Sequence, residues 1–312
     1  MRHLALFMAV ILWLPLAVQA QAQDQGRLDH YPAMTSAFVK ARDVNVWLPQ
    51  GYDPNGEPLA VIYMNDGENL FEKGHSFSGH TWEVIPTLSR LIAERRIPPV
   101  IVVGIASTNL RNQEYLPKKI VEQLPAREQA LIAEGAGGPP LSDEYLKFIV
   151  TELKPFIDKT YHSQTDAAHT FIIGSSMGGL IALYAHGEYP DVFSGSASLS
   201  THWLLRVGEW FRPSDEVYEP LIRKAFAEYL KATKLRPEGH KIYVDHGTLS
   251  LDAQYGPYAK GFDATMAAQG WDDHHYMSLV FEGDDHSETS WARRLDVPIA
   301  FLLGLSTEHG EQ

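Results

Sequence analysis

A serine between two glycines is the residue in this sequence best suited to covalent chemistry. Ser176 lies at the centre of the segment 174–178 (GSSMG), after the apolar segment 170–173 and before the small-residue segment 178–186. A serine on a tight turn between a strand and a helix is presented for attack on a carbonyl group, and its neighbours two positions away must be small. The N-terminus of the following helix would stabilise negative charge that develops there. The pattern therefore predicts a nucleophile, with a glycine-rich turn that lacks chemistry as the alternative.

A serine hydroxyl is a weak nucleophile unless a base removes its proton. His286 follows the apolar segment 276–281, which is the last predicted strand. In sheets that carry such a serine, the histidine comes last in the chain, after the final strand. His274 and His275 precede that strand and belong to the opposite edge. We therefore predict His286 as the base, the alternative being a histidine in a surface loop.

The carboxylate that orients this histidine should follow the preceding strand, which we predict at residues 241–244. Asp245 lies at or just inside the end of that strand. Asp252 lies further along the following loop, with enough chain to reach His286. Asp252 is the preferred candidate and Asp245 the alternative, and either could instead be a capping or solvated carboxylate.

A serine that attacks a carbonyl also needs two backbone N–H groups that stabilise the resulting oxyanion. One should come from Met177, the residue after the serine. The other should come from the loop after the predicted strand 59–64. Gly67 is the best candidate there, because a residue without Cβ lets the backbone approach a ligand closely. The alternative for Gly67 is an ordinary turn glycine.

Apolar runs that alternate with helical patterns provide the scaffold for these residues. Strands are predicted at 45–49, 59–64, 100–105, 170–173, 193–199, 241–244 and 276–281. Helices are predicted at 81–95, 142–161, 178–186, 216–232, 254–268 and 289–303. This alternation predicts an α/β fold with a mostly parallel central sheet and helices on both faces. The polar stretch at about 108–141 is predicted as an irregular loop insertion, since strand patterns continue on both sides of it.

Charge and composition exclude several classes of function. The chain has 312 residues, with 26 Lys and Arg against 39 Asp and Glu, and a formal net charge of −13. So acidic a chain is not expected to bind nucleic acid, because phosphate binding needs clustered Lys and Arg. Its charge also disfavours polyanionic substrates. The chain has no cysteine, which excludes disulfides, thiolate metal sites and a cysteine nucleophile.

The N-terminus has the layout of a cleavable secretory signal peptide. A short basic start precedes the apolar segment 4–18, and small residues at 18–22 offer cleavage sites. The apolar run is shorter than the ~20 residues that span a bilayer, which disfavours the alternative of a membrane anchor. We therefore expect removal of residues 1–22 and a single exported domain at 23–312. That domain would be periplasmic or secreted and would have no membrane partner.

Several segments together resemble the putative-esterase family of α/β-hydrolases, which includes enterochelin (siderophore) esterases and feruloyl esterases. The segment 61–71 (VIYMNDGENLF) is similar to the LYMHDGQNLF strand and loop of that family. The other similarities are the segment 97–105, the R-x-x-E-Y-x-P pattern at 111–117, the segment 174–178, Gly247-Thr248 with Leu251-Asp252, and His286 followed by Trp291, Arg294 and Pro298. Together they extend over roughly 45–303. Asn65 is a departure, since a histidine is common at its position in the family.

The resemblance implies an α/β-hydrolase fold and a serine carboxylic-ester hydrolase that works through an acyl-enzyme. Ser176, Asp252 and His286 would form its catalytic triad, and no metal or organic cofactor is implied. The expected substrates are soluble small-molecule esters of the phenolic-acid, siderophore or acylated-sugar type. Two alternatives remain. One is an acyltransferase with the same acyl-enzyme, as in related mycolyl-transfer enzymes, and the other is a non-catalytic binding protein.

Two further features have competing interpretations. Tyr115 and Trp203 are candidate substrate contacts, although packing of these aromatic rings against the sheet would be equally consistent with the sequence. The segment 272–275 (DDHH) could suggest a metal site, but adjacent histidines in a strand point to opposite sides, and no H-x-x-x-H helix pair supports them. We therefore predict a solvated loop there and no metal.

Overall fold

The computed structural model describes residues 25–74, 76, 78–207 and 217–304, so the predicted signal peptide lies outside the described residues. One sheet of eight strands has the order β1-β2-β4-β3-β5-β6-β7-β8. The strands are β1 (Arg27–Met34), β2 (Arg42–Leu48), β3 (Ala60–Asn65), β4 (Val100–Ile105), β5 (Thr170–Ser175), β6 (Gly195–Leu199), β7 (Lys241–Gly247) and β8 (Tyr276–Phe281).

Within the set β3 to β8, neighbouring strands are parallel. By contrast, β1 is antiparallel to β2, and β2 is antiparallel to β4. The central strands β3, β4, β5 and β6 are buried along their whole length, as strands covered on both faces must be. Because parallel strands end at the same edge, the loops after β3, β5, β7 and β8 meet on one side of the sheet.

Helices cover both faces of the sheet. They are α1 (Val84–Ala93), α2 (Arg111–Glu114), α3 (Lys118–Val121), α4 (Ala126–Ala136), α5 (Ser142–Phe148), α6 (Lys154–Thr160), α7 (Met177–Glu188), α8 (Tyr218–Ala232), α9 (Gly256–Ala268), α10 (Glu288–Arg294) and α11 (Asp296–Leu303). Helices α3 to α9 pack their apolar side chains on one face, and α1, α10 and α11 on the other. The predicted mostly parallel sheet with helices on both faces is confirmed. Among the described residues, no helix has the length and apolar character that crossing a membrane requires.

The local structure differs from expectation in several places. The stretch 108–141 is largely helical rather than irregular, because α3 and α4 bury Ile120 and Ile132 in the core while their polar faces stay exposed. The strand β1 has no counterpart among the predicted strands, since it is an edge strand of mixed composition in which no residue is buried. The predicted helix 289–303 is two helices, α10 and α11, that meet at Leu295.

Candidate active site

Ser176 lies on a sharp turn between β5 and α7. Its backbone angles are φ 53° and ψ −126°, a conformation that is strained for a residue with a Cβ. Its N–H donates to the carbonyl oxygen of Leu199 at 2.9 Å, which ties the turn to the end of β6. A Cβ at Gly174 would lie 2.2 Å from the carbonyl oxygen of Gly178, and a Cβ at Gly178 would lie 2.8 Å from Oδ2 of Asp66. The packing of the turn therefore requires a glycine at position 174, where the clash is with backbone, and a Cβ at position 178 would have to displace the Asp66 side chain.

Asp252 and His286 form a hydrogen-bonded pair at the same edge of the sheet. Nδ1 of His286 lies 2.6 Å from Oδ1 of Asp252. A carboxylate can only accept, so Nδ1 donates and the neutral ring has its lone pair on Nε2. Asp252 lies in a 3-10 turn (Ser250–Gln254) after β7 and is fully buried, whereas the side chain of His286 is 15% exposed. Tyr255 and Trp291 hold the imidazole between them, with ring centroids 5.9 and 5.1 Å away.

Three donors surround the carboxylate of Asp252. His286 donates to Oδ1, while Ser200 Oγ and the N–H of Gly247 donate to Oδ2 at 2.5 and 2.6 Å. Burial raises the pKa of Asp252, but these donors, above all His286, outweigh burial and hold the pKa below its ordinary value of 3.8. Asp252 is therefore a carboxylate at neutral pH and can stabilise a charged imidazole.

Ser200 fixes the second oxygen of Asp252. Its Oγ accepts from Nε1 of Trp291 and from Nη2 of Arg294, both at 2.8 Å. A hydroxyl has two acceptor positions and one proton, so with both positions used the proton is directed to Asp252. Sequence reasoning missed Ser200, because a serine after an apolar strand has no distinctive pattern. The one sequence signal was indirect: Trp291 and Arg294, which donate to Ser200, belong to the pattern that resembles the family.

Asp245, the alternative acid, has other partners. Arg294 donates to it from Nε and Nη2 at 3.1 and 2.9 Å, and both side chains are almost wholly buried. The N–H of Ser200 and the hydroxyl of Tyr243 donate to it at 2.9 and 2.8 Å. The structure thus brings Asp252, and not Asp245, into contact with His286.

The two predicted oxyanion donors begin helical turns at this edge. Met177 is the first residue of α7, and Gly67 is the first residue of a 3-10 helix (Gly67–Asn69) after β3. The first N–H groups of a helix have no acceptor within the helix, which makes both of them candidates for binding negative charge. The reason for a glycine at position 67 differs from the expected one. A Cβ there would lie 2.6 Å from the carbonyl carbon of Gly104, so β4 rather than a ligand requires the close approach.

Asn65 joins the loop of Gly67 to the start of α7. Its Nδ2 donates to the carbonyl oxygen of Gly178 at 2.8 Å, and its Oδ1 accepts from the hydroxyl of Tyr145 at 2.7 Å. Asn65 is 1% exposed, so breaking these bonds would leave buried polar groups unpaired. An asparagine at the position where the family often has histidine therefore still holds the two segments together.

A cavity of about 370 Å³ lies beside Ser176. Its walls include the apolar side chains of Met177, Val207 and Leu251, together with Arg111 and other polar residues. Its volume is near the lower end of the roughly 300–1,000 Å³ that is usual for small-molecule sites. The cavity therefore suits a small substrate, with the serine at its wall.

Neither of the two aromatic residues proposed as substrate contacts lines this cavity. Tyr115 is fully buried, and its hydroxyl accepts from the N–H of Asp66 at 3.2 Å. Trp203 is 1% exposed and packs against Phe226 and Phe262, with ring centroids 5.4 and 4.8 Å away. Tyr115 therefore supports the loop after β3, and Trp203 belongs to the core beneath α8 and α9.

His202 is a buried histidine at the wall of the cavity that the sequence did not single out. Its backbone N–H donates to the carbonyl oxygen of Ser176 at 3.2 Å. Its Nε2 donates to the carbonyl oxygen of Arg206 at 2.8 Å, so Nδ1 accepts from the hydroxyl of Tyr255 at 2.9 Å. Burial lowers the pKa of His202 to about 4, so the ring is neutral at neutral pH.

The buried neutral state of His202 predicts a loss of stability in acid. An unfolded histidine binds a proton below a pKa of about 6.5, whereas folded His202 does so only near 4, so protons favour the unfolded chain between these values. The free energy of unfolding should fall by about 3 kcal/mol through this residue as the pH drops from 6.5 to 4. Urea unfolding at several pH values measures this loss, which His202→Gln should reduce. The exposed His80→Gln is the matched control, and an equal reduction there would contradict the assignment.

No group of three or more metal-ligating side chains lies close together anywhere in the part of the chain that the structure describes. In the segment predicted as a solvated loop, Nδ1 of His275 lies 2.6 Å from Oδ1 of Asp272. Asp272 is exposed, and its pKa is lowered by the hydrogen bond from His275. The pair thus forms a local contact in the turn before β8. This turn lies at the edge of the sheet where the parallel strands begin, and Ser176 lies at the opposite edge, where they end.

The sheet order, the strained serine turn and the position of the Asp–His pair define an α/β-hydrolase. The solved structure of an IroE-like serine hydrolase from Shewanella oneidensis has the same fold, with a TM-score of 0.60. It is 19% identical in sequence, and the match covers 88% of this chain and 79% of that one. The predicted α/β-hydrolase fold is therefore confirmed.

The chain belongs to the protein family described as "Putative esterase", whose model matches residues 35–302. It is 26% identical over 165 residues to the siderophore enterobactin esterase of Emericella nidulans, covering 50% of this chain and 51% of that protein. It is 24% identical over 278 residues to an endo-1,4-beta-xylanase/feruloyl esterase of Xylanibacter ruminicola, covering 88% of this chain and 31% of that protein. The chain thus spans about half the length of the first of these curated relatives and less than a third of the second.

Proposed function

We propose that the protein is a serine carboxylic-ester hydrolase that acts on small-molecule esters through an acyl-enzyme. The observation that carries the proposal is the Asp252–His286 hydrogen bond at the edge of the sheet where Ser176 occupies its strained turn. Membership of the esterase family supports it. The names of the two relatives favour siderophore or phenolic-acid esters, and acylated sugars remain a further candidate class.

In the first half of the reaction, Oγ of Ser176 attacks the ester carbonyl carbon while Nε2 of His286 takes the hydroxyl proton. The carbonyl oxygen becomes an oxyanion, which the N–H groups of Met177 and Gly67 stabilise. Asp252 stabilises the imidazolium that forms. The bond from carbon to the alcohol oxygen then breaks, and His286 returns its proton to the departing alcohol.

In the second half, water attacks the carbonyl carbon of the acyl-enzyme and gives a proton to His286. The oxyanion forms again at the same two N–H groups. The bond from carbon to Oγ breaks, and Ser176 regains its proton from His286 as the acid leaves. Each oxyanion donor should contribute about 3 kcal/mol of transition-state stabilisation.

Labelling with a fluorophosphonate probe tests the proposal, because the probe phosphonylates an activated serine. After digestion, mass spectrometry should find the label on Ser176. The adjacent Ser175 lies within β5 and is 3% exposed, so Ser175→Ala is a matched control that should keep the label while Ser176→Ala loses it. Label on another serine, or an unlabelled folded wild-type protein, would contradict the proposal. If added alcohols receive the acyl group faster than water does, the protein is the alternative acyltransferase.

A further inference from the structure

The cavity beside Ser176 has two guanidinium groups in its wall. Arg111 is the first residue of α2, and Arg206 lies in the segment that follows β6. Among the described residues that line the cavity, none is acidic. Each guanidinium group is paired with a carboxylate that does not line the cavity, Asp66 or Glu128, so the cavity wall presents arginine N–H groups and no carboxylate.

Arg111 has donors left over from its ion pair. Its Nε and Nη2 donate to the two oxygens of Asp66 at 2.6 and 2.7 Å. A guanidinium group has five N–H bonds, so the Nη1 amino group is not used by this pair. Burial lowers the pKa of Arg111, but Asp66 outweighs burial and raises it, so the side chain is always charged. Its side chain is 28% exposed and is accessible from the cavity.

Arg206 is also held in place with a donor to spare. Its Nη2 donates to Oε2 of Glu128, and its Cζ lies 3.9 Å from the centre of the Tyr218 ring. These two contacts fix the plane of the guanidinium group. Its Nε is buried and has no acceptor among the described residues. Because Nε is shielded, an acceptor on a bound molecule would use the Nη1 amino group, which the pair with Glu128 does not use.

We propose that Arg206, together with Arg111, binds a carboxylate on the substrate, so that the protein prefers small esters with a free carboxylate, such as half-esters of dicarboxylic acids. This inference rests on the proposed ester hydrolysis. The fork of N–H groups in arginine matches the two oxygens of a carboxylate, and such bonds are stronger than those between neutral groups. Asp66 and Glu128 offset the charges of the two arginines, so the preference would come from directed hydrogen bonds by the N–H groups that these ion pairs do not use.

Two esters of matched shape measure this preference. Monomethyl glutarate has a free carboxylate, and methyl 4-carbamoylbutanoate has a neutral amide in the same place. Methanol release gives kcat/KM for each, and wild type should favour the anionic ester by about 10- to 100-fold, the effect of a hydrogen bond to a charged group. High salt should reduce this ratio, because ions screen the attraction. The difference should appear in KM more than in kcat, since the carboxylate is remote from the reacting carbon.

Substitutions at Arg206 test whether this residue causes the preference for the anionic ester. Arg206→Gln should reduce the ratio several-fold, since only Arg111 is left, and Arg206→Lys should retain more of it, because a lysine keeps the charge but loses the fork. Arg223→Gln is the matched control, since Arg223 is half-exposed on α8 and pairs with Glu219. It should leave the ratio as in wild type. Thermal unfolding of each variant confirms that it is folded.

The possible failures are distinguishable. A wild-type ratio near one, with hydrolysis that depends on Ser176, overturns the inference and leaves the proposed function standing. A strong preference that survives Arg206→Gln also overturns the assignment to Arg206. If no ester is cleaved and Ser176 is not labelled, the proposed function fails. Calorimetric titration of wild type with the same two intact esters, one with a carboxylate and one with a neutral amide, then tests the carboxylate site without catalysis, and equal affinity for the two overturns it.

Discussion

Replacement of Ser176 by alanine is expected to lower kcat for ester hydrolysis by about 10⁶-fold, because removal of a serine nucleophile in a triad abolishes the covalent route. The variant keeps the Cβ and the strained backbone, and the hydrogen bond of its N–H to Leu199 does not involve the side chain. The fold should therefore remain intact. Hydrolysis of p-nitrophenyl acetate, followed with wild type and variant at equal concentrations, measures the loss.

Two controls make this result specific. Ser175→Ala removes the neighbouring hydroxyl from the same segment and should change the rate little. Circular dichroism of both variants should match that of wild type. A Ser176→Ala variant that hydrolyses the ester as fast as wild type would show that the reaction takes place elsewhere.

The central part of the fold could be predicted because its signals are local. The segments 100–105 and 170–173 are continuous apolar runs, and such runs are typical of parallel strands buried on both faces. The strand β1 could not be predicted in this way. None of its residues is buried and they are mixed in polarity, and the strand exists because its backbone pairs with β2 at the edge of the sheet.

The candidate nucleophile and base could be located from sequence because each follows a recognisable strand. The choice between Asp252 and Asp245 was harder, since both follow the same strand pattern. The structure separates them through Arg294, which is 49 residues from Asp245 in sequence and pairs with it inside the protein. No local pattern reveals a contact of that range. The strand β7 also continues to Gly247, so Asp245 lies within the sheet and not in the loop.

Side-chain roles in the wall of the cavity were the least predictable part. Tyr115 and Trp203 are large aromatic residues near the expected site, and residue type alone cannot distinguish a ligand contact from packing in the core. Both are buried against other aromatic rings. Arg206 and His202 are instead brought to the cavity by the path of the chain after β6, and the sequence contains no motif for that path.

Replacement of Asp252 by asparagine is expected to lower kcat by about 10⁴-fold, because the variant selects the wrong tautomer of the histidine. Ser200 and the N–H of Gly247 both donate to Oδ2, so the amide oxygen of the asparagine should occupy that position. The amide NH₂ would then face Nδ1 of His286. Nδ1 must accept in that arrangement, and the ring proton moves to Nε2, which can no longer take a proton from Ser176.

Asp245→Asn is the comparison that separates the two acids. It removes the partner of the buried Arg294, and breaking a buried ion pair costs about 3–5 kcal/mol of stability. Its folded molecules should lose much less of kcat than those of Asp252→Asn, because the hydrogen bond between Asp252 and His286 does not involve Asp245. Urea unfolding and steady-state kinetics on both variants measure the two effects. If Asp245→Asn instead abolished turnover in fully folded protein while Asp252→Asn did not, the acid of the triad would have to be reassigned.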